Sequence, residues 1–203
     1  MSNMVHFSTA QALLSAGLIF LAVAIPVWVL YLVGRRIPPA LERRGRKSGF
    51  AGSLVLLDAA FVFFFLYWVL FAAIDAAQAS RFLSYRVDVP AWQILAPLIP
   101  DVVFVALFGW VAVRLALVRR PRVQAEAIAV VWVLGPLAGI AEGLIYKGAV
   151  DWQGLAFSAA FAAVATLYLL LSDRVNLTYG TRRGTTLPEL DPPGSRTRRA
   201  GGK

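Results

Sequence analysis

The sequence predicts an all-α, polytopic transmembrane helical bundle of five spans, and three observations carry that prediction. First, of 203 residues 59% are hydrophobic and only 15% charged, well below the roughly 25% charge of ordinary soluble domains. Second, the apolar residues gather into five long runs, each near or above the roughly 20 residues that a helix needs to cross a bilayer. Third, of twenty Lys and Arg residues, seventeen fall toward one of the two alternating sides of the spans and three (Arg81, Arg86 and Lys147) toward the other. That asymmetry is a positive-inside signal, placing the N-terminus outside and the C-terminus in the cytoplasm.

In chain order, residues 1–8 are a short external tail without Lys or Arg, holding the single histidine, His6. The first span is expected at about 9–34. Pro26 is tolerated there with a kink, and Trp28 and Tyr31 suit an interface. With no basic segment before it, this run reads as a retained span rather than a leader. A basic loop, Arg35 to Lys47, leads to a second span at about 50–77, whose centre, Phe61 to Phe65, is almost wholly aromatic. A mixed connector, 78–93, precedes a third span at about 94–118 with Pro97 and Pro100 in its first turns. The basic turn Arg119-Arg120-Pro121-Arg122 leads to a fourth span at about 126–145, and the fifth is expected at about 152–171. Residues 9–179 thus form one membrane domain. From 180 to 203 the chain is Gly, Pro, Thr and Arg without apolar periodicity, which predicts a disordered basic cytoplasmic tail. The multi-pass pattern implies an integral membrane protein.

The fourth span carries a ladder, Gly135, Gly139 and Gly143, that falls on one helix face. Without a hydrophobic drive between helices in lipid, such a face lets backbones approach closely. The expected partner is the fifth span, through small residues that include Ala156 and Ala160. A homodimer seam is the alternative.

Ionisable residues inside spans are costly and mark functional sites by default. Asp58 and Arg114 approach the same leaflet, so a pair between them would tie spans two and three together. Otherwise Arg114 snorkels to the headgroups and Asp58 is protonated or bonded to Ser53. At the other leaflet Asp75, Asp101 and Glu142 lie at similar depth. They form either an acidic vestibule for a cation or proton, or interfacial carboxylates paired with the few cations there.

The charge of +9 reads as topology rather than nucleic-acid binding, because the cations sit between the spans. The expected surroundings are the lipid bilayer and its anionic headgroups, with a membrane-protein partner or homo-oligomer as further company. Zero cysteines and one histidine outside the spans exclude thiolate metal sites, cysteine nucleophiles and haem ligation between helices. No Gly-rich phosphate loop, His-Glu-x-x-His or Ser-His-Asp set occurs. No metal, cofactor or catalytic residue is therefore expected. The leading expectation is a non-enzymatic structural, assembly or accessory subunit acting through helix–helix contacts. The alternative is a small proton- or ion-coupled transporter or channel using Asp58, Asp101 and Glu142.

The end of the last span, Tyr168 to Tyr179, contains an aromatic residue, Ser172, the pair Arg174-Val175 and the pair Thr178-Tyr179. It resembles the closing signature of a family of small bacterial inner-membrane proteins, the domain-of-unknown-function 2569 family. The likeness extends in order from Gly49-Phe50 through the basic, proline-containing turn at 119–122 to about residue 180. It implies a four-span unit with the first span as an addition, and it carries no catalytic residue. Physically, Arg174 would anchor the helix end and complement its dipole, while Ser172 and Thr178 would bond to freed carbonyls.

Overall fold

The structure is a computed structural model that describes residues 9–43, 46–85, 89–144 and 148–188, with side chains from residue 17. The external tail with His6, the cations Arg44, Arg86 and Lys147, and the tail from 189 onward lie outside the described residues. Within them the fold is all-helical. Its elements are α1 (Thr9–Gly34), α2 (Ser53–Ser84), α3 (Ala91–Leu95), α4 (Leu98–Leu117), α5 (Pro121–Trp132), a π-helical turn (Val133–Leu137), α6 (Ala138–Glu142), α7 (Trp152–Leu171), α8 (Asp173–Tyr179) and α9 (Arg182–Thr186). Five helices are long and apolar enough to cross a membrane.

The third span starts at Leu98 rather than near 94, after the separate short helix α3, and three further boundaries differ from the expected ones, each for a local reason. The second span begins at Ser53, because Gly49 and Gly52 take positive φ (87° and 61°) that excludes them from a right-handed helix. It then continues to Ser84 instead of stopping near 77, since no Gly or Pro interrupts 78–84. At 32 residues it is about 48 Å long, so it tilts or projects beyond a hydrocarbon core of about 30 Å. The fourth crossing starts at Pro121 rather than near 126, because proline suits the first helical position. Its course is also not uniform. Pro136 lacks the N–H that would bond to Trp132, and the helix absorbs the defect as the π-helical turn.

The centre of the bundle is the pair α2–α4. Leu54, Leu57, Phe61 and Val62 recur at helical spacing and meet Phe108, Val111, Ala112, Leu115 and Ala116, all buried. Val123, Ala127, Val130 and Val131 of α5 and Ala162, Ala165 and Leu169 of α7 complete the core. The aromatic run divides. Phe61 is buried while Phe63 is exposed, and Phe64 stacks on Phe108 at 5.3 Å between ring centroids. Close packing is maintained where Gly109 admits the Phe65 ring, which a β-carbon would meet at 2.9 Å.

The helix α1 is peripheral. Only 6% of its Gly17–Gly34 window is buried. Val23, Val27, Leu30 and Tyr31 touch the core, whereas Leu18 and Phe20 are 68% and 71% exposed. Its attachment is at the far end, where Gly34 lies so close to Ala116 and Phe50 that an added β-carbon would come within 2.8 Å of each.

After α7 the chain turns back instead of leaving the bundle. Val175, Asn176, Leu177, Thr178 and Tyr179 of α8 are buried, Gly180 closes the helix at φ 66°, and α9 follows with Thr181 and Gly184 buried. The expected disordered tail from 180 is therefore corrected: 180–188 is folded, because Asn176 and Thr181 use their side chains to cap and brace it. Thr181 Oγ1 donates to Asn176 Oδ1, and the Gly184 N–H donates to Thr181 Oγ1.

Candidate functional sites at the two ends of the bundle

Contacts gather the basic segments at one end. The Ala40 and Leu41 N–H groups donate to the Thr178 and Leu177 carbonyls, each at 3.0 Å. The Gly49 N–H donates to Thr178 Oγ1 at 2.9 Å. Arg46 forms an ion pair with Asp173 and donates to the Pro188 carbonyl, and Arg43 donates to that of Thr185, both at 2.8 Å. The loop after α1 and the segment after α7 thus form one interlocked cap. The basic loop is a structural part as well as a topology signal.

The terminal signature is the inner half of this cap. Tyr168 and Ser53 share a hydroxyl–hydroxyl hydrogen bond of 2.8 Å. The Ser172 carbonyl accepts from the Asn176 side chain. Thr178 Oγ1 donates to the Arg174 carbonyl at 2.6 Å, so it braces α8 itself rather than the end of α7. The Arg174 guanidinium covers Gly52. Val175 is fully buried. The Tyr179 hydroxyl donates to the Leu115 carbonyl at 2.7 Å.

Arg119 is the joint between the cap and α1. It donates to the carbonyls of Leu115 (3.0 Å) and Gly34 (2.7 Å) and lies between the rings of Phe50 and Tyr179. Burial lowers its guanidinium from the ordinary value, the nearby Tyr179 opposing the shift. Burial likewise pushes the Tyr179 hydroxyl well above the usual phenol value of 10.0, and the Arg119 charge only partly offsets this. Tyr179 therefore remains a hydrogen-bond donor at any physiological pH. The sequence offered little to find Arg119, which reads there as one of three cations in a turn.

The Asp58–Arg114 pair, one of the two alternatives, is not formed. Arg114 Nε lies 2.8 Å from Glu126 Oε2, its Nη2 donates to Oε1 at 3.1 Å, and its guanidinium sits 4.9 Å from the Trp110 ring. The acceptor sits one short turn away on α5, so the chain supplied a nearer partner than Asp58. Ser53, the other expected partner of Asp58, is held by Tyr168. Asp58 has no exposed surface, and neither carboxylate oxygen has a hydrogen-bond partner among the described residues.

At the opposite, acidic end the expected trio separates. Asp75 is interior to α2, and its carboxyl lies near that of Asp101, which is buried in the first turn of α4. Glu142 closes α6 and borders a different feature, a cavity of about 330 Å³ between α2, α4, the α5–α6 crossing and α7. Phe64, Trp68, Phe104 and Phe161 form its walls and Asp151 joins Glu142 beside it. Asp151 also caps α7, accepting from the N–H groups of Gln153 and Gly154 at 3.1 and 3.2 Å.

This cavity corrects the glycine ladder. Gly135 packs against Ser158 of α7 at 3.6 Å from its added β-carbon, whereas Gly143 packs against Ala149 and Val150 of its own following loop. An added β-carbon at Gly139 meets nothing within 4 Å, and the residue lines the cavity. The π-helical turn between Gly135 and Gly139 breaks the strict four-residue register on which a single face depends. On α7 the small residues that pack inward are Ala162 and Ala165, while Ala156 and Ala160 are exposed. Polar bonds strengthen this contact, from Gln124 to the Leu169 carbonyl and from Trp132 to Thr166 Oγ1 at 3.0 Å.

No family model, curated protein or solved structure matches the chain.

Proposed function

We propose that this is a non-enzymatic accessory or assembly subunit of a bacterial inner membrane, which acts by presenting helix faces to another membrane protein or to a second copy. The observation that carries the reading is the isolation of α1. It is fixed to the bundle at Gly34, yet its described side chains before Val23 are all exposed. The exposed pair Ala156 and Ala160 on α7 offers a second face on which a helix backbone can approach closely. The cations clustered at the capped end support a cytoplasmic location for that end, with the N-terminus outside. The resemblance of Tyr168–Tyr179 to the domain-of-unknown-function 2569 family fits this membrane and lends no activity.

A carrier or channel reading requires Asp58, Asp101 and Glu142 on one path. Glu142 borders the aromatic cavity, and neither Asp58 nor Asp101 lines it, which favours the accessory reading. The test is recovery of membrane partners, or of cross-linked dimer, from cells in mild detergent. Ala156→Leu with Ala160→Leu, and separately Leu18→Ser with Phe20→Ser, should lower recovery several-fold without lowering the thermal midpoint of the purified chain. A wild-type chain that is recovered alone and monomeric would sink the proposal.

A further inference from the structure

The cavity at the acidic end has a chemistry that helix association does not use. Its volume of about 330 Å³ falls at the small end of ligand sites, which span about 300–1,000 Å³. Trp68 stacks on Phe104 at 4.1 Å, and Phe64 meets Phe161 edge to face at 5.6 Å, so the aromatic walls are braced by one another rather than loose. Aromatic faces carry a negative quadrupole that attracts cations. Two carboxylates, Glu142 and Asp151, lie on the same lining. Gly139 contributes only backbone, leaving space that any side chain would fill. One wall is the π-helical turn, a feature that recurs at functional sites.

We propose that this cavity binds a small organic cation, an ammonium group on an apolar or aromatic body, with the charge toward Glu142 and Asp151 and the body among Phe64, Trp68, Phe104 and Phe161. A purely apolar occupant such as a lipid chain would use the walls but not the carboxylates. The two are separated by a pair of probes of one shape: benzyltrimethylammonium, and neopentylbenzene, in which carbon replaces the charged nitrogen.

Both are titrated calorimetrically into the full-length protein in a nonionic detergent. The cation should bind about tenfold tighter than its neutral isostere, as desolvated cation–aromatic and charge contacts warrant. Gly139→Leu should abolish binding of the cation while the thermal midpoint holds, because the new side chain enters empty space. Ser158→Leu, on the facing wall, is the second blocking variant if Gly139→Leu yields little folded protein. Glu142→Gln should weaken the cation about five- to tenfold and leave the isostere unchanged. Equal or tighter binding of the isostere, cation binding that survives both blocking variants, or no cation binding by the wild type would each overturn the proposal. These readouts do not depend on whether α1 has a partner, so failure here leaves the accessory reading standing, and the reverse.

Discussion

Gly184 at the basic end and Gly139 at the acidic end stand in opposite surroundings. At the basic end, cations, amides and hydroxyls are spent on one another. Arg119 ties α1, α4 and the cap, Thr178 both donates and accepts, and Gly34 and Gly184 lie tight against the backbone of Ala116 and Asn176. At the acidic end, carboxylates border a cavity and Gly139 stands beside open space. The same residue type therefore has two uses, close approach at Gly184 and vacancy at Gly139. In a bilayer the first is worth stability, because polar groups unsatisfied in a water-poor region are expensive. The second gives up packing and suits recognition.

The sharpest way to break this contrast is to add one methyl group at each end. Gly184→Ala puts a β-carbon 2.5 Å from the Asn176 carbonyl, and overpacking against backbone should cost about 2–3 kcal/mol in detergent unfolding. Gly139→Ala should be neutral or stabilising by up to about 1 kcal/mol, since helix propensity improves and nothing is displaced. Equal effects at the two positions would erase the distinction.

Removing the joint at the basic end comes next. Arg119→Met should cost about 2 kcal/mol, as two hydrogen bonds from a charged donor are lost while its buried and unpartnered Nε no longer needs solvation. Cross-linking between α1 and α4 near Gly34 and Ala116 should fall with it, and unchanged cross-linking would assign α1's anchorage to packing alone.

Asp58 tests whether satisfaction is complete on the capped half of the bundle. With both oxygens unpartnered, Asp58→Leu should raise stability by about 1–2 kcal/mol, because an uncompensated buried polar group is replaced by an apolar one of similar size. A loss of stability instead would reveal a partner for the carboxyl.

The smallest effect concerns Tyr179. Tyr179→Phe should cost about 1 kcal/mol at neutral pH, since Arg119 still serves the Leu115 carbonyl. The hydroxyl titrates above its unfolded value of 10.0, so its contribution is whole below that pH. It falls as pH rises further, where the unfolded chain releases the proton more readily than the folded one. Wild-type stability should thus decline above about pH 10 more steeply than that of the variant, as seen in unfolding midpoints across pH 8–12. Parallel curves would move the alkaline sensitivity elsewhere.

The sequence by itself determined the number of membrane-length helices, their approximate limits and the gathering of cations toward one of the two alternating sides of the spans. Those features are properties of local stretches, since apolar length and charge position act residue by residue on transfer between water and lipid. Of the glycine ladder it proposed between the fourth and fifth crossings, only Gly135 meets the fifth, at Ser158. Only the tertiary structure decided which members of each set meet: Ala162 and Ala165 rather than Ala156 and Ala160, Glu126 rather than Asp58 for Arg114, and a cavity rather than a helix beside Gly139. Those choices turn on helix rotation and on the extra residue per turn near Pro136, and both are set by how neighbouring helices fit. The folding of 173–188 beneath the loop after α1 was equally hidden, because its stability comes from bonds between residues more than a hundred positions apart.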